Sequence, residues 1–270
     1  MRINNNITAL NSHRQYNINN GNIAKNVEKL SSGLRVNRAA DDAAGLAISE
    51  KMRAQIRGLN MASKNSQDAI SLVQTAEGGM QTIQDILQRI RELAVQSASD
   101  TNTDEDRAQI QKEVDALIEE ADQIPEITQF NSMPLLNGSF IKRVIQSGAN
   151  EGEIMEITID EMTATVLGVS PLPVSKQLDA SAAIKKVDDA LGKVSSQRSD
   201  LGAYQNRLEF KIENLDNQAE NLAAAESRVR DADMAKMMTE FTKNNILFQS
   251  STAMLAQANA LPQGVLQLLG

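Results

Sequence analysis

From Ala69 onward the apolar positions step by four and three: Val73, Ala76, Met80, Ile83, Leu87, Ile90 and Ala94. This spacing predicts one face of a long helix packed in coiled-coil fashion. A second arm has its own column, with Val187, Val194, Leu201, Leu208, Leu215, Leu222 and Val229 seven apart. Its companion column is weaker: Leu191, Arg198, Gln205, Ile212, Ala219 and Glu226. Seams this long imply that the two arms pack against each other. A helix over residues 178–230 would be roughly 80 Å long at 1.5 Å per residue. A compact globule of this chain length is only about 50 Å across. The expected molecule is therefore an elongated rod of long antiparallel helices.

The two ends carry a separate pattern. Ile3, Ile7 and Leu10, then Ile23, Val27, Leu30 and Leu34, follow helical spacing near the N-terminus. Near the C-terminus Met234, Phe241, Phe248 and Leu255 are seven apart, as are Leu247, Met254, Leu261 and Leu268. Their other faces are rich in amides, such as Asn4, Asn5, Asn11, Asn17 and Asn19, and poor in Lys/Glu pairs. Asn is a mediocre helix former, and an isolated pair of such helices is marginal in water. Two readings are open here: ends that fold only on assembly with other copies, or a loosely packed helical pair in an ordinary bundle.

Prolines divide the chain. None falls in residues 1–124 or 174–261, which permits long helices there, whereas Pro125, Pro134, Pro171 and Pro173 crowd the stretch between. That stretch holds Asn137-Gly138, a polar turn at residues 147–152, and a run in which Met155, Ile157 and Ile159 alternate with Glu156 and Thr158. Two or three short strands in hairpins are expected. The fold class is mainly α, with a small β-hairpin insert at about residues 137–174.

Composition narrows the function. The 270 residues carry a formal charge of −8, with no Lys/Arg stripe to hold nucleic acid. Zero cysteines exclude disulfides, thiolate catalysis and cysteine-based metal sites, and the single histidine, His13, excludes a multi-histidine one. No apolar run reaches the ~18 residues of a membrane span, and the N-terminus lacks the apolar core of a secretory signal. Asp41-Asp42 read as an N-cap and a first-turn acid for a helix starting nearby, since no basic or nucleophilic partner accompanies them. Gly78-Gly79 read as a kink or a close helix approach. Asn6-Ile7-Thr8 and Asn137-Gly138-Ser139 match a glycosylation pattern that recurs by chance. In LQRIRELAVQ (87–96), Ile86 and Leu93 lie beside Arg89 and Glu92, leaving either a bundle face or some apolar surface for a partner. Nothing here forms a catalytic cluster or calls for a cofactor.

Six strings carry a family resemblance: SSGLRVNRAADDAAGLAISEKMRAQIRGL (31–59), NSQDAISLVQTAEGG (65–79), LQRIRELAVQSAS (87–99), LGAYQNRLE (201–209), ENLAAAESRVRDADMA (220–235) and MLAQAN (254–259). In this order they resemble bacterial flagellin of the short, Gram-positive type lacking large outer domains. The match covers roughly residues 1–140 and 176–270.

The resemblance implies a non-enzymatic subunit, without cofactor, exported by a flagellar type III route and polymerising with itself into a filament. Residues 1–40 with 233–270 would form a terminal coiled-coil layer lining the channel, and residues 41–232 a helical-bundle domain. Polymerisation positions would include Ile3, Ile7, Leu10, Ile23, Val27, Leu30, Phe241, Phe248, Leu255, Leu261 and Leu268. An export chaperone would contact Leu247, Phe248, Met254, Leu255, Leu261, Val265, Leu266 and Leu268. A filament cap protein and a hook–filament junction protein are further implied partners. A patch centred on Arg89, Glu92 and Leu93, with Glu113 beside it, would meet both the next subunit and, in the monomer, vertebrate Toll-like receptor 5.

The chain also departs from the family. Relatives read Phe-Asn-Gly where this chain has Phe130-Asn131-Ser132, and Pro125 is expected to interrupt a helix there. A junction protein of the same secretion system is the nearest alternative function, and a cytoplasmic coiled-coil scaffold would fit the periodicity alone.

Overall fold

The computed structural model describes residues 6–269, with side chains described for 6–260. Ile3 lies outside the described residues, as do the side chains of Leu261, Val265, Leu266 and Leu268. The elements are α1 (Ile7–Ser32), α2 (Ala43–Ser97), α3 (Asp104–Ile127), β1 (Gln129–Phe130), β2 (Met133–Pro134), β3 (Arg143–Gln146), β4 (Ile154–Ile157), α4 (Ala164–Leu167), α5 (Gln177–Arg230) and α6 (Met234–Leu269). They fall into two compact units, Met1–Ala54 with Glu220–Gly270, and Gln55–Ala219. Among the described residues no helix is long and apolar enough to cross a membrane.

In the unit Gln55–Ala219, the stepped column of α2 is the core. Val73, Ala76, Met80, Ile83, Leu87, Ile90 and Ala94 are all fully buried, in one cluster with Val187, Val194, Leu201 and Leu208 of α5. The helices run antiparallel: Arg91 pairs with Asp188 at 2.6 Å, while Arg198 donates to Gln84 at 2.6 Å and Glu77 at 3.2 Å. The companion column differs from expectation. Ala183, Ala190 and Gln197 are buried, whereas Leu191 and Arg198 are only half-buried. At Gln197 the β insert is one neighbour, since the Gln197 side chain donates to the carbonyl of Thr158 at 3.3 Å.

Helix α3 opens with a capping box. Thr103 accepts from the Asp106 N–H at 3.3 Å, and Asp106 accepts from the Thr103 N–H at 3.0 Å. Pro125 does not interrupt this helix, contrary to the expectation above: it is buried inside the last turn, and the helix runs on to Ile127. The missing N–H costs only the bond to the carbonyl of Ala121, and the Thr128 N–H still closes onto Ile124 at 2.9 Å. Asp122 then accepts from the Ala164 N–H at 2.6 Å, and Gln111 accepts from the Val174 N–H at 2.6 Å. These side chains fasten the segment returning from the insert.

The segment between α3 and α5 contains two antiparallel hairpins, one of them ahead of the expected insert. In the second, Ile145 faces Met155 and Arg143 faces Ile157, and alternation buries Met155, Ile157 and Ile159 as expected. The first, β1–β2, lies ahead of residue 137. Its turn is Asn131-Ser132, both at positive φ (50° and 62°), with no glycine. Asn137-Gly138 instead makes a local turn outside the hairpins, its side-chain oxygen accepting from the Ser139 N–H at 3.1 Å. Gly79 marks a close approach without a kink: a Cβ there would lie 2.8 Å from Thr128 Oγ1 and 2.9 Å from Leu136 Cδ1.

Candidate assembly interface

In the other unit α1 and α6 lie antiparallel. Asn6 donates to the carbonyl of Ala258 at 2.7 Å, Asn19 donates to Ser251 Oγ at 2.8 Å, and the rings of Tyr16 and Phe248 stand 4.9 Å apart. Amides therefore tie the helices, between which no ion pair forms among the described residues. Asn26 is buried, and its side-chain nitrogen has no partner.

The connections on either side are held by the backbone. Gly33 ends α1 in the left-handed region at φ 71° and donates to Lys29. Its carbonyl accepts from the Ala232 N–H at 2.9 Å, beside a single bridge between Leu34 and Asp231. Arg230 pairs with Glu50 at 2.5 Å, and its carbonyl accepts from the Arg35 N–H at 2.7 Å.

Asp42 caps α2 by accepting from the Gly45 N–H at 2.8 Å. The cap therefore falls one residue later than the Asp41-Asp42 order suggests: Asp41 lies outside the helix, and the first turn holds no acid. Asp41 accepts from the backbone of Arg38 and Asn37, and these bonds lower its pKa.

Burial divides the terminal apolar positions in two. Ile23, Leu30, Phe241, Phe248 and Leu255 are half-buried. Ile7 (67% exposed), Leu10 (66%), Val27, Leu247 and Met254 stand open to solvent. Ile18, Met234, Met238 and Ile246 join them. The apolar stripe on each helix is wider than one two-helix seam can cover. Of the exposed set, the candidate positions missed Ile18, Met234, Met238 and Ile246, although Met234 begins the sevenfold C-terminal column and the interval of eleven from Ile7 to Ile18, three helical turns, signals a shared face. His13 is exposed and stacks 6.5 Å from Tyr16.

The second candidate patch lies in the unit Gln55–Ala219. Arg89 of α2 reaches Glu113 of α3 at 2.8 Å and Glu92 at 3.1 Å, with all three side chains exposed. The hydrogen bonds that Arg89 donates, first to Glu113 and then to Glu92, raise its pKa. Leu93 is not at the surface of this patch. It is 2% exposed and belongs to the core cluster, so Arg89, Glu92 and Glu113 are its accessible members.

Comparison with known proteins matches both arms. The bacterial flagellin N-terminal helical region fits residues 3–141, and the flagellin C-terminal helical region fits residues 184–269. The chain is 55% identical over 271 residues to flagellin of Halalkalibacterium halodurans and 52% identical over 303 residues to flagellin of Bacillus subtilis. In each case all of both chains is covered. The crystal structure of Bacillus cereus flagellin superposes with a TM-score of 0.52 at 32% identity, covering 60% of this chain and 94% of that one.

With both helical arms matched and full-length relatives at this identity, the chain belongs to the bacterial flagellins. It is a structural protein, a subunit that polymerises with copies of itself into the extracellular flagellar filament used for motility, and not an enzyme. The junction-protein alternative gains no support. A putative flagellar hook-associated protein from Vibrio parahaemolyticus superposes with a TM-score of 0.61, covering 71% of this chain and 100% of that one. At 14% identity that likeness concerns the fold alone.

Proposed function

We propose that the α1–α6 pair carries polymerisation, with residues 1–40 and 233–270 lining the filament channel and residues 41–232 forming the bundle layer around them. The supporting observation is the open apolar surface of this pair, above all Ile7, Leu10, Ile18, Ile246 and Met254. Fully burying one such side chain contributes about 1.5–3 kcal/mol. Packing several of them against other copies therefore far outweighs the weak helix propensity of the amide faces. Deleting residues 1–30 or 241–270 should leave a folded soluble chain that forms no filaments on seeds. Normal filaments from either deletion would overturn the assignment.

The same α6 surface suits the export chaperone. Leu247 and Met254 are exposed, while Phe248 and Leu255 are half-buried and would become fully accessible when α6 leaves α1. The contact is proposed to continue through Leu261, Val265, Leu266 and Leu268. Leu247→Ser with Met254→Ser should weaken chaperone binding, and unchanged affinity would count against this surface. A cap protein and a hook–filament junction protein would meet the filament at its two ends. For vertebrate Toll-like receptor 5, the accessible Arg89, Glu92 and Glu113 are the proposed contacts. Arg89→Glu should abolish receptor signalling by the monomer, and full signalling would refute the patch.

A further inference from the structure

A helical polymer of identical subunits uses heterologous contacts, in which one patch of the chain meets a different patch of the next copy. The unit Gln55–Ala219 presents two open grooves of opposite character. The first, of about 310 Å³, lies between the β3–β4 hairpin and α5, where Ile154, Arg207, Phe210 and Lys211 line it. Phe210 is 72% exposed and Ile154 45%. Arg207 has no hydrogen bond or ion pair among the described residues. The Glu153 pKa is lowered first by the hydrogen bonds from the Asn150 side chain and backbone, with the charge of Lys211 adding to them.

The second groove, of about 510 Å³, runs along α3 beside Pro171, with Glu119 and Glu126 on its wall. Ile127, at the end of the same helix, is 65% exposed. Two acids of this groove are already engaged: Asp115 accepts from Gln111 at 2.7 Å, and Asp122 accepts from the Ala164 N–H. Glu119 and Glu126 have no such partner among the described residues.

Resting on the filament-subunit assignment, we infer that Phe210, flanked by Arg207 and Lys211, docks into the α3 groove of the next subunit, against Glu119 and Glu126. Copies that each carry a charge of −8 repel one another, so a contact that places cations against unpaired carboxylates offsets the repulsion where it matters. An exposed aromatic ring beside an unpaired Arg is also the composition of an interface hot spot.

Reversing one side, with Arg207→Glu and Lys211→Glu or with Glu119→Lys and Glu126→Lys, should slow seeded filament growth about tenfold or more. Combining all four changes should restore most of the rate. The unaltered chain growing on the same seeds separates this inference from the filament assignment itself. Either pair growing at the unaltered rate would overturn the inference, as would a folded four-fold variant that shows no recovery.

A second readout is independent of any folding defect. Because the chain has no cysteine, Lys211→Cys copies mixed with Glu126→Cys copies give a clean background for a short bismaleimide. Filaments should yield the mixed dimer in excess over either self-dimer, and monomers should not. Equal yields of all three dimers, or no mixed dimer, would sink the contact.

Discussion

Tyr16 and Phe248 join the two terminal helices, their ring centroids 4.9 Å apart and their planes inclined by 33°. Such a pair contributes about 0.5–1.5 kcal/mol beyond the area it buries. Tyr16→Ala, Phe248→Ala and the double variant should therefore show a coupling of about 1 kcal/mol in denaturant unfolding. A coupling indistinguishable from zero would mean that the rings are neighbours without attraction.

Ser132 occupies the left-handed region at φ 62° in the turn between β1 and β2, a conformation that disfavours residues with a Cβ. Ser132→Gly should stabilise the chain by about 1 kcal/mol, since a two-residue hairpin turn with both central residues at positive φ favours Asn-Gly. Thermal melting reads this directly, and a lowered midpoint would show that the Ser132 side chain contributes something the turn geometry does not account for.

Gly78 and Gly79 should respond in opposite ways to one added methyl group. Nothing lies within 4 Å of a Cβ at Gly78, so Gly78→Ala should gain up to about 1 kcal/mol of helix stability. At Gly79 the same group would press on Thr128 and Leu136, both under 3.0 Å away, and overpacking should cost about 1–3 kcal/mol. Comparing the two melting midpoints tests the close approach, and equal shifts would contradict it.

The column of leucines in α5 should not be uniform in its effect. Leu208 is fully buried, whereas Leu222, fourteen residues on, is half-buried. Leu208→Ala should cost about 2–5 kcal/mol, and Leu222→Ala distinctly less. Urea unfolding followed by helicity distinguishes them. A larger loss at Leu222 would mean that burial in this chain does not rank its core.

Acid should loosen the start of α3. The Asp106 pKa is lowered, first by the hydrogen bond from the Thr103 side chain and then by that from the Thr103 backbone. A depressed carboxyl pKa contributes stability that is fully present above the unfolded value and is lost as pH falls through the folded one. The loss should therefore begin below about pH 4. Asp106→Asn should be less stable than the parent at neutral pH and converge with it in strong acid. Asp41 and Glu153, whose pKa values are also lowered, leave the variant a residual acid slope. Parallel stability curves for parent and variant would refute the cap.

Much of this structure was legible from one line of letters. The stepped column from Ala69 to Ala94, the sevenfold column of α5, a helix start at Asp41-Asp42 and the alternation around Met155 all follow from the period of apolar residues and the chemistry of helix ends. What periodicity reports is which face of an element is apolar. It does not report which neighbour covers that face.

For that reason the partner of each face was decided by tertiary packing. Leu93 is enclosed in the core while Arg89 beside it stays in water, and along α5 Ala190 and Gln197 are buried where Leu191 is only half-buried. A hairpin turn forms at Asn131-Ser132, without the glycine that signals such turns, because pairing of β1 with β2 imposes the backbone. Pro125 stays within its helix because burial of its ring and the Thr128 N–H bond outweigh one missing hydrogen bond. Local pattern determined the helices and their apolar faces. Only long-range contact, which brings together residues far apart in the chain, decided what each face touches and what is left open for another subunit.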